Sequence, residues 1–445
     1  MRRPAPTQNE TTFGLDEMFF STTDHRGVIL DGNEVFIRIS KYSREELIGA
    51  PHNIIRHPDM PKIVFKALWD TILAGKTICA YVKNLAKDGS YYWVFATVIP
   101  IGNDFLSIRL KSTTHLKEIV EGLYKELLTV EKSSGVDASL KVLVSSLNSL
   151  GFPDYDSFSL AAISAELSSR HALQSKKLKT NSNIASATAI INPLYLSRIR
   201  ESLFKIFTLI NKLSTHTNAI SDKITKIGDV SKNIEFSALN TIIEAERLGD
   251  QGRALGAVAQ HISAGAAETK KLNSNVNLLA TKMLGNLGEF RTIQLSIALS
   301  TLQVEMLSCF VEQWTADTTS ISEEGFKKNY LMLTTLISES LNQAKPIILS
   351  LGEDTQLISS EIENTFQVLK ILNFIQRSGS IESARLSDDS IFSHLFLAIK
   401  NLINESEALY AEFSAVINDV IKKDVTEVIK EYEIAAETIA TITIQ

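Results

Sequence analysis

The sequence predicts a small α+β domain followed by long antiparallel helices that fold back as hairpins into a four-helix bundle. Three observations carry this reading. Strand-like segments are confined to the first 113 residues. From about residue 115 apolar residues recur at helical spacing instead. That helical pattern is interrupted by two glycines, Gly249 and Gly252, three residues apart.

In the first domain, residues 1–113, "GVILDGN" places Val28 to Leu30 before an Asp-Gly turn. "YYWVFATVIPI" is rich in β-branched and aromatic residues, and "FLSIRL" follows a second turn at Gly102-Asn103. Between them "SREELIGA" and "PKIVFKALWDTILAG" read as short helices. Residues 114–195 form a helical connector, with helices around Leu116–Lys132 and Ala161–Leu178 separated by the loop "GFPDYD". Leu203, Ile206, Ile210, Leu213, Thr217, Ile220, Ile224, Ile227, Ser231, Ile234 and Ala238 then keep a 3-4 spacing, the seam of a coiled-coil or bundle arm. A looser seam resumes after the glycines, so residues 196–310 are expected to be one hairpin with its tip near 249–252. "IIEAERLGDQ" is echoed by "SIESARLSDD", which suggests a duplicated second hairpin over 311–445 with its tip near 387–390. Arms of about 50 residues would be about 75 Å long. Two hairpins in one chain would complete a bundle as a single-chain pseudo-dimer; a dimer of chains is the other reading.

Bulk properties narrow the function. A chain of 445 residues with a formal net charge of -6 lacks the concentrated positive charge of a nucleic-acid binder. Cys79 and Cys309 are too few and too far apart for a disulfide framework or a thiolate metal site. The most apolar helical stretch, Leu295 to Trp314, contains Gln303, Glu305, Glu312 and Gln313, and the N-terminus has no apolar signal-peptide core. The expectation is a soluble cytoplasmic protein without a membrane span or metal. No P-loop or nucleophile-elbow motif occurs and the histidines are scattered singly, so no enzyme is expected.

At the hairpin tip, Gly249 and Gly252 are both expected to supply left-handed backbone for the reversal, with Asp250 and Gln251 keeping the turn wet. Glu244 and Arg247 share a helix face beside it. "SALNTIIEAERLGDQGRALGAVAQ" resembles the signalling tip of methyl-accepting chemotaxis proteins, the matching positions including Asn240, Glu244, Arg247, Gly249, Gln251, Gly252 and Arg253. The resemblance implies contact with a chemotaxis histidine kinase, its coupling protein and other chemoreceptors, within a receptor array. The segment departs from that family's pattern at "SKNIEF", at Glu246 and at "HISAGA".

The front domain, Ser21 to Lys76 with "RHPDMP" and then "YVKNLAKDGSYYWV", resembles the PAS sensor domain of aerotaxis receptors. That resemblance implies non-covalently bound FAD, a redox or energy sensor, and a ligand site at Arg56, His57 and Asp59, with Asn33, Trp69 and Asn84 as further candidates. Arg56 suits a pyrophosphate and Trp69 a ring stack. On the residues alone, Asp59 could instead serve the start of the helix Lys62–Leu73, with Trp69 a core aromatic. The alternative function is an array scaffold whose PAS domain is a dimerisation module without flavin.

Overall fold

The computed structural model describes residues 4–178, 193–282, 287–316, 323–385 and 391–444. Two compact units form: one of Met1–Arg200, Ala298–Ser338 and Ile439–Gln445, the other of Glu201–Ile297 and Glu339–Thr438.

In the first unit the β-branched and aromatic segments become strands β1 (Phe19–Thr23), β2 (Ile29–Gly32), β3 (Ile78–Leu85), β4 (Tyr91–Ile101) and β5 (Asp104–Leu110). They form one antiparallel sheet in the order β2-β1-β5-β4-β3. Between β2 and β3 lie helices α1 (Glu34–Ser40), α2 (Arg44–Leu47) and α3 (Lys62–Leu73). Because side chains alternate across a strand, each strand is shared between two layers. Val82, Asn84, Ala96, Val98, Phe105, Ser107 and Arg109 point to the side of α3. Tyr81, Trp93 and Phe95 point to the other side, where the connector helices α4 (Leu116–Ser134) and α6 (Tyr155–Leu178) begin to cover them, while α5 (Val136–Ser149) packs against α4 and α3.

Two carboxylates fix that covering layer. Glu131 of α4 accepts from the backbone amides of Lys62 (2.9 Å) and Ile63 (2.8 Å), satisfying free donors at the start of α3. Glu166 of α6 is fully buried and accepts from Tyr81 Oη (2.9 Å), from Thr113 N and Oγ1 (both 2.7 Å) and from Thr114 N (3.3 Å) and Oγ1 (2.7 Å). It therefore grips the segment leaving β5 and the middle of β3 at once.

The same unit takes in part of the chain that the sequence reading assigns to the hairpins. Helix α7 (Pro193–Thr215) begins here, and α10 (Leu287–Ala316) and α11 (Glu323–Ala384) contribute residues 298–338. Phe310 meets Phe20 of β1 edge-on at 5.9 Å, and Arg170 pairs with Glu305 at 2.6 Å inside the layer. Division by unit thus departs from the linear boundary at 310, because the apolar surface of α10 is satisfied by the sheet. By length and composition, the stretch Glu289–Trp314 is long and apolar enough to cross a membrane, and 78% of its most apolar window is buried in the protein. Gln303 and Glu305, which counted against a span in the sequence, are both buried there.

The second unit is a four-helix bundle. Helices α8 (Thr217–Arg247) and α9 (Arg253–Ala280) form the first hairpin, and α11 packs against α12 (Ile391–Ala415) through Phe366–Tyr410, Asn373–Glu407 and Gln376–Phe396. A π-turn, Val416–Ile421, leads from α12 into α13 (Lys422–Ile444). The expected second tip, 387–390, lies outside the described residues. The two halves repeat one buried pattern. Leu203, Ile210, Leu213, Ile220, Ile224, Ile234 and Ala245 recur at one constant spacing as Leu341, Ile348, Leu351, Ile358, Ile362, Leu372 and Ser383, all buried. In the returning arms Leu255, Ala259, Ile262, Ala266, Val276 and Ala280 match Phe392, Phe396, Ile399, Ile403, Phe413 and Ile417 in the same way, with a spacing one residue shorter. Exposed residues repeat as well: Phe236 with Phe374, Ile243 with Ile381, and the ion pair Glu244–Arg247 (2.6 Å) with Glu382–Arg385 (2.7 Å). The repeat thus extends to both the buried and the exposed faces of the two halves.

Candidate functional site

A cavity of about 210 Å³ lies between α3 and the sheet. The sheet floor contributes Asn84, Val98, Ser107 and Arg109 among others, and α3 contributes Phe65, Leu68, Trp69 and Ile72 as an apolar wall. The turn Pro51–Arg56 closes one side, and the exposed Arg26 stands at the mouth. Gly27 has φ +78°, and a Cβ there would approach the Trp69 ring to 2.9 Å, so the loop passes the wall where only glycine fits easily.

Of the residues expected to hold a ligand, Arg56, Trp69 and Asn84 line this cavity; Asn33, His57 and Asp59 do not. Arg56 stacks on Phe65 at 3.9 Å and donates to Met60 O at 3.2 Å. Trp69 meets Phe105 edge-on at 5.9 Å. Asn33 is instead the cap of α1: its Oδ1 accepts from Phe36 N and from Phe20 N, both at 3.3 Å, and its amide donates to Met18 O at 3.1 Å. Asp59 pairs with Lys83 at 2.7 Å, and its amide donates to His57 Nδ1 at 3.1 Å, which turns both side chains toward each other and Lys83. Nor does Asp59 serve the start of α3, since Glu131 already occupies it.

The sequence reading missed the most strongly placed polar groups, Arg109 and His52. Arg109 is only 2% exposed, and among the described residues it has no carboxylate partner. Its Nη2 donates to Ser21 Oγ at 2.8 Å and meets His52 Nε2 at 2.5 Å, while Nη1 is buried without an acceptor. Phe36 and Phe19 flank the guanidinium at 5.1 and 5.7 Å. Asn84 Nδ2 is likewise buried without a partner. The signal for Arg109 was available: it occupies the same strand face as Phe105 and Ser107, and a cation at an inward position of a buried strand needs an explanation.

Burial, and then the neighbouring Arg109 charge, lower the His52 imidazole to about 3. His52 keeps some accessible surface, facing the cavity, although protein surrounds it. It is therefore neutral at ordinary pH and accepts from Arg109. Because the folded value lies below the unfolded one, the contribution to stability is complete above pH 6.5 and is lost as pH falls toward 3. His52→Gln, which keeps an acceptor, is expected to flatten the loss of stability between pH 6.5 and 5 by up to about 2 kcal/mol. Urea titrations at several pH values check this, and parallel slopes for the two proteins would contradict it.

The cysteines offer no reactive thiol. Burial pushes both Cys79 and Cys309 up to about 12. Among the described residues no cluster of His, Cys, Asp or Glu is arranged to hold a metal.

At the hairpin tip, Gly249 has the expected left-handed φ of +61°. Gly252 does not: its φ is −85°, and it is required because a Cβ there would lie 2.0 Å from Ala245 O. Asn240, Arg247, Gln251 and Arg253 are exposed and Glu244 is half-buried; Arg253 pairs with Asp250.

Residues 29–108 match the family described as PAS fold. The N-terminal domain is a PAS domain. The chain is also similar to the aerotaxis receptor of Escherichia coli (strain K12), at 38% identity over 144 residues, 31% of this chain and 28% of that protein. It is similar to the biofilm dispersion protein BdlA of Pseudomonas aeruginosa, at 23% identity over 259 residues, 57% and 52% of the two chains. A third relative is the methyl-accepting chemotaxis protein HlyB of Vibrio cholerae, at 35% identity over 78 residues, 17% and 14% of the chains. The matches span about half or less of each relative's length. Among solved structures, the light state of the Aureochrome1 LOV photoreceptor aligns with 23% of this chain and 88% of its own, at 15% identity and a TM-score of 0.22. The chain thus joins a PAS domain to a long helical region similar to chemoreceptors.

Proposed function

We propose that this chain is a non-enzymatic sensor in a chemotaxis-type signalling system, whose PAS domain holds a flavin and whose helical bundle presents the signal to a histidine kinase and its coupling protein. One observation carries the ligand part: Arg109 Nη1 and Asn84 Nδ2, donors on the floor of one cavity, are buried without acceptors. Leaving such donors unmet costs roughly 1–3 kcal/mol each. A planar ring edged with carbonyl oxygens and imine nitrogens supplies acceptors for both.

The apolar wall of Phe65, Leu68, Trp69 and Ile72 suits the faces of such a ring and excludes water from it. The enclosed volume is below the ~300–1,000 Å³ of sites that swallow a whole drug-sized molecule, so the ring end is inside and the phosphates of FAD lie toward the mouth. Arg56, which stacks on Phe65, and Arg26, which pairs with Asp24, line the cavity on that side and supply the positive charge. When bound, the flavin supplies reversible uptake of electrons.

The chain's own residues provide the route outward. Asn84 faces the cavity from β3, and Tyr81 on the opposite face of that strand donates to Glu166 of α6. A change in the Asn84 hydrogen bond that shifts β3 therefore reaches a connector helix through one buried carboxylate. Two alternative packings of that layer are what a signal would bias. Kinase and coupling-protein contact is assigned to the exposed tip around Asn240, Arg247, Gln251 and Arg253, in keeping with the resemblance of that segment to chemoreceptor tips. A cytoplasmic place beside a receptor array belongs to the same reading.

Purified chain incubated with FAD should retain a visible flavin spectrum through gel filtration, and Asn84→Leu should weaken retention at least tenfold. Colourless wild-type protein would leave the scaffold reading in its place.

A further inference from the structure

We infer that Arg109 sets the redox preference of the site, holding the negative charge that a flavin ring acquires on reduction and so favouring the reduced form. This rests on the flavin reading of the cavity and adds to it a regulation that the reading does not require.

Arg109 lies on the cavity floor, 2% exposed, and among the described residues no carboxylate pairs with it. Its hydrogen-bond partners, Ser21 Oγ and His52 Nε2, are neutral, and the flanking rings of Phe19 and Phe36 neutralise nothing. A buried cation without a counter-ion is costly, and a structure normally meets that cost by pairing it. Here the pairing group has to come from the cavity. His52 is held neutral by burial and by Arg109, so it adds no second charge beside the Arg109 guanidinium on the floor of the chamber at ordinary pH.

Rigidity is the second part. Ser21 and His52 both engage Nη2, the rings of Phe19 and Phe36 lie beside the guanidinium at 5.7 and 5.1 Å, and His52 itself stacks on Phe36 at 6.3 Å. Nη1 is thereby fixed in place with no acceptor of its own. A fixed donor in a poorly solvated chamber stabilises charge that appears on a neighbour without having to reorganise.

On reduction the oxidised ring takes two electrons from an external donor and one proton from solvent, which leaves one negative charge on the ring. Arg109 meets that charge; it meets the neutral oxidised ring through a hydrogen bond alone. The difference appears as tighter binding of the reduced form, and by linkage as a midpoint potential above that of free flavin.

The test is a potentiometric titration of the full-length chain loaded with FAD, using dithionite as reductant, beside free FAD in the same buffer. We expect a potential above that of free FAD. Arg109→Gln should lower it by at least about 30 mV, a tenfold change in preference for a two-electron couple, and Arg109→Lys should retain most of the elevation. Loss of FAD by Arg109→Gln, with far-UV circular dichroism unchanged and FAD kept by Arg109→Lys, also supports a charged contact at this position. A wild-type potential at or below that of free FAD overturns the inference without recourse to any variant. So does an Arg109→Gln protein that keeps both FAD and the wild-type potential. Wild-type chain that takes up no FAD overturns the flavin reading itself, a different failure from either.

Discussion

Glu166→Ala is expected to destabilise the sheet-containing unit by about 3–5 kcal/mol. One carboxylate there satisfies five donors from Tyr81, Thr113 and Thr114 in a site with no solvent access. Hydrogen bonds to a charged group contribute about 1.5–3 kcal/mol each, and donors left buried without an acceptor add their own desolvation cost. Relaxation and entering water recover part of the sum. Glu166→Gln should fall between, since its amide nitrogen faces donors where an acceptor is needed. All three tryptophans, Trp69, Trp93 and Trp314, belong to this unit, so urea unfolding followed by tryptophan fluorescence reads it selectively. A loss below about 1 kcal/mol would mean that the clamp is not what joins α6 to the sheet. Glu166→Ala protein should also keep its ligand cavity while losing communication beyond it, because Glu166 touches the face of β3 that the cavity does not use.

The second large effect is expected at Gly252. A Cβ there would lie 2.0 Å from Ala245 O and 2.8 Å from Ala245 C, both backbone atoms that cannot swing aside. Gly252→Ala therefore forces the end of the turn away from the last turn of α8. Overpacking of this kind costs about 3 kcal/mol or more where the neighbour is main chain. Gly249→Ala is the control: its Cβ would meet open space, and only the left-handed φ of +61° opposes it, at about 1–2 kcal/mol. Amide hydrogen exchange along α8 and α9 distinguishes the two, with protection lost over several turns in the first variant and only beside the turn in the second. Equal effects would show that conformational freedom, and not close approach, is why both positions are glycine.

Much of this was legible in the amino-acid order because it depends on local periodicity. Strands such as Tyr91–Ile101 and the heptad seam through Ile220, Ile224 and Ile234 declare themselves by alternation or by 3-4 spacing. Arg56, Trp69 and Asn84 could be placed at a cavity because a motif resemblance carried them there. What failed to show was what depends on partners far along the chain. Asn33 looked like a ligand amide until Met18 and Phe20 claimed it, and Asp59 until Lys83 did. The inward place of Arg109 on its strand could be read from Phe105 and Ser107, but nothing local says that no acid faces it. The glycines of the tip were read as one kind of device, whereas a positive φ at Gly249 and contact with Ala245 at Gly252 are separate requirements. Assignment of residues 298–338 to the sheet's unit was hidden for a related reason: helical spacing shows that Phe310 wants cover, not what covers it.

The matched halves of the bundle have a consequence for how this molecule can change. In an assembly of identical subunits every substitution appears on both sides of the symmetry axis, so neither side can be altered alone. Here the mates of Phe236 and Glu244 are Phe374 and Glu382 of the same polypeptide, encoded separately. The first turn keeps Gly249 and Gly252 while the corresponding stretch of sequence, Leu386 to Ser390, contains no glycine. One side can therefore change while its mate is kept, and the four-helix packing of the second unit is built within a single polypeptide.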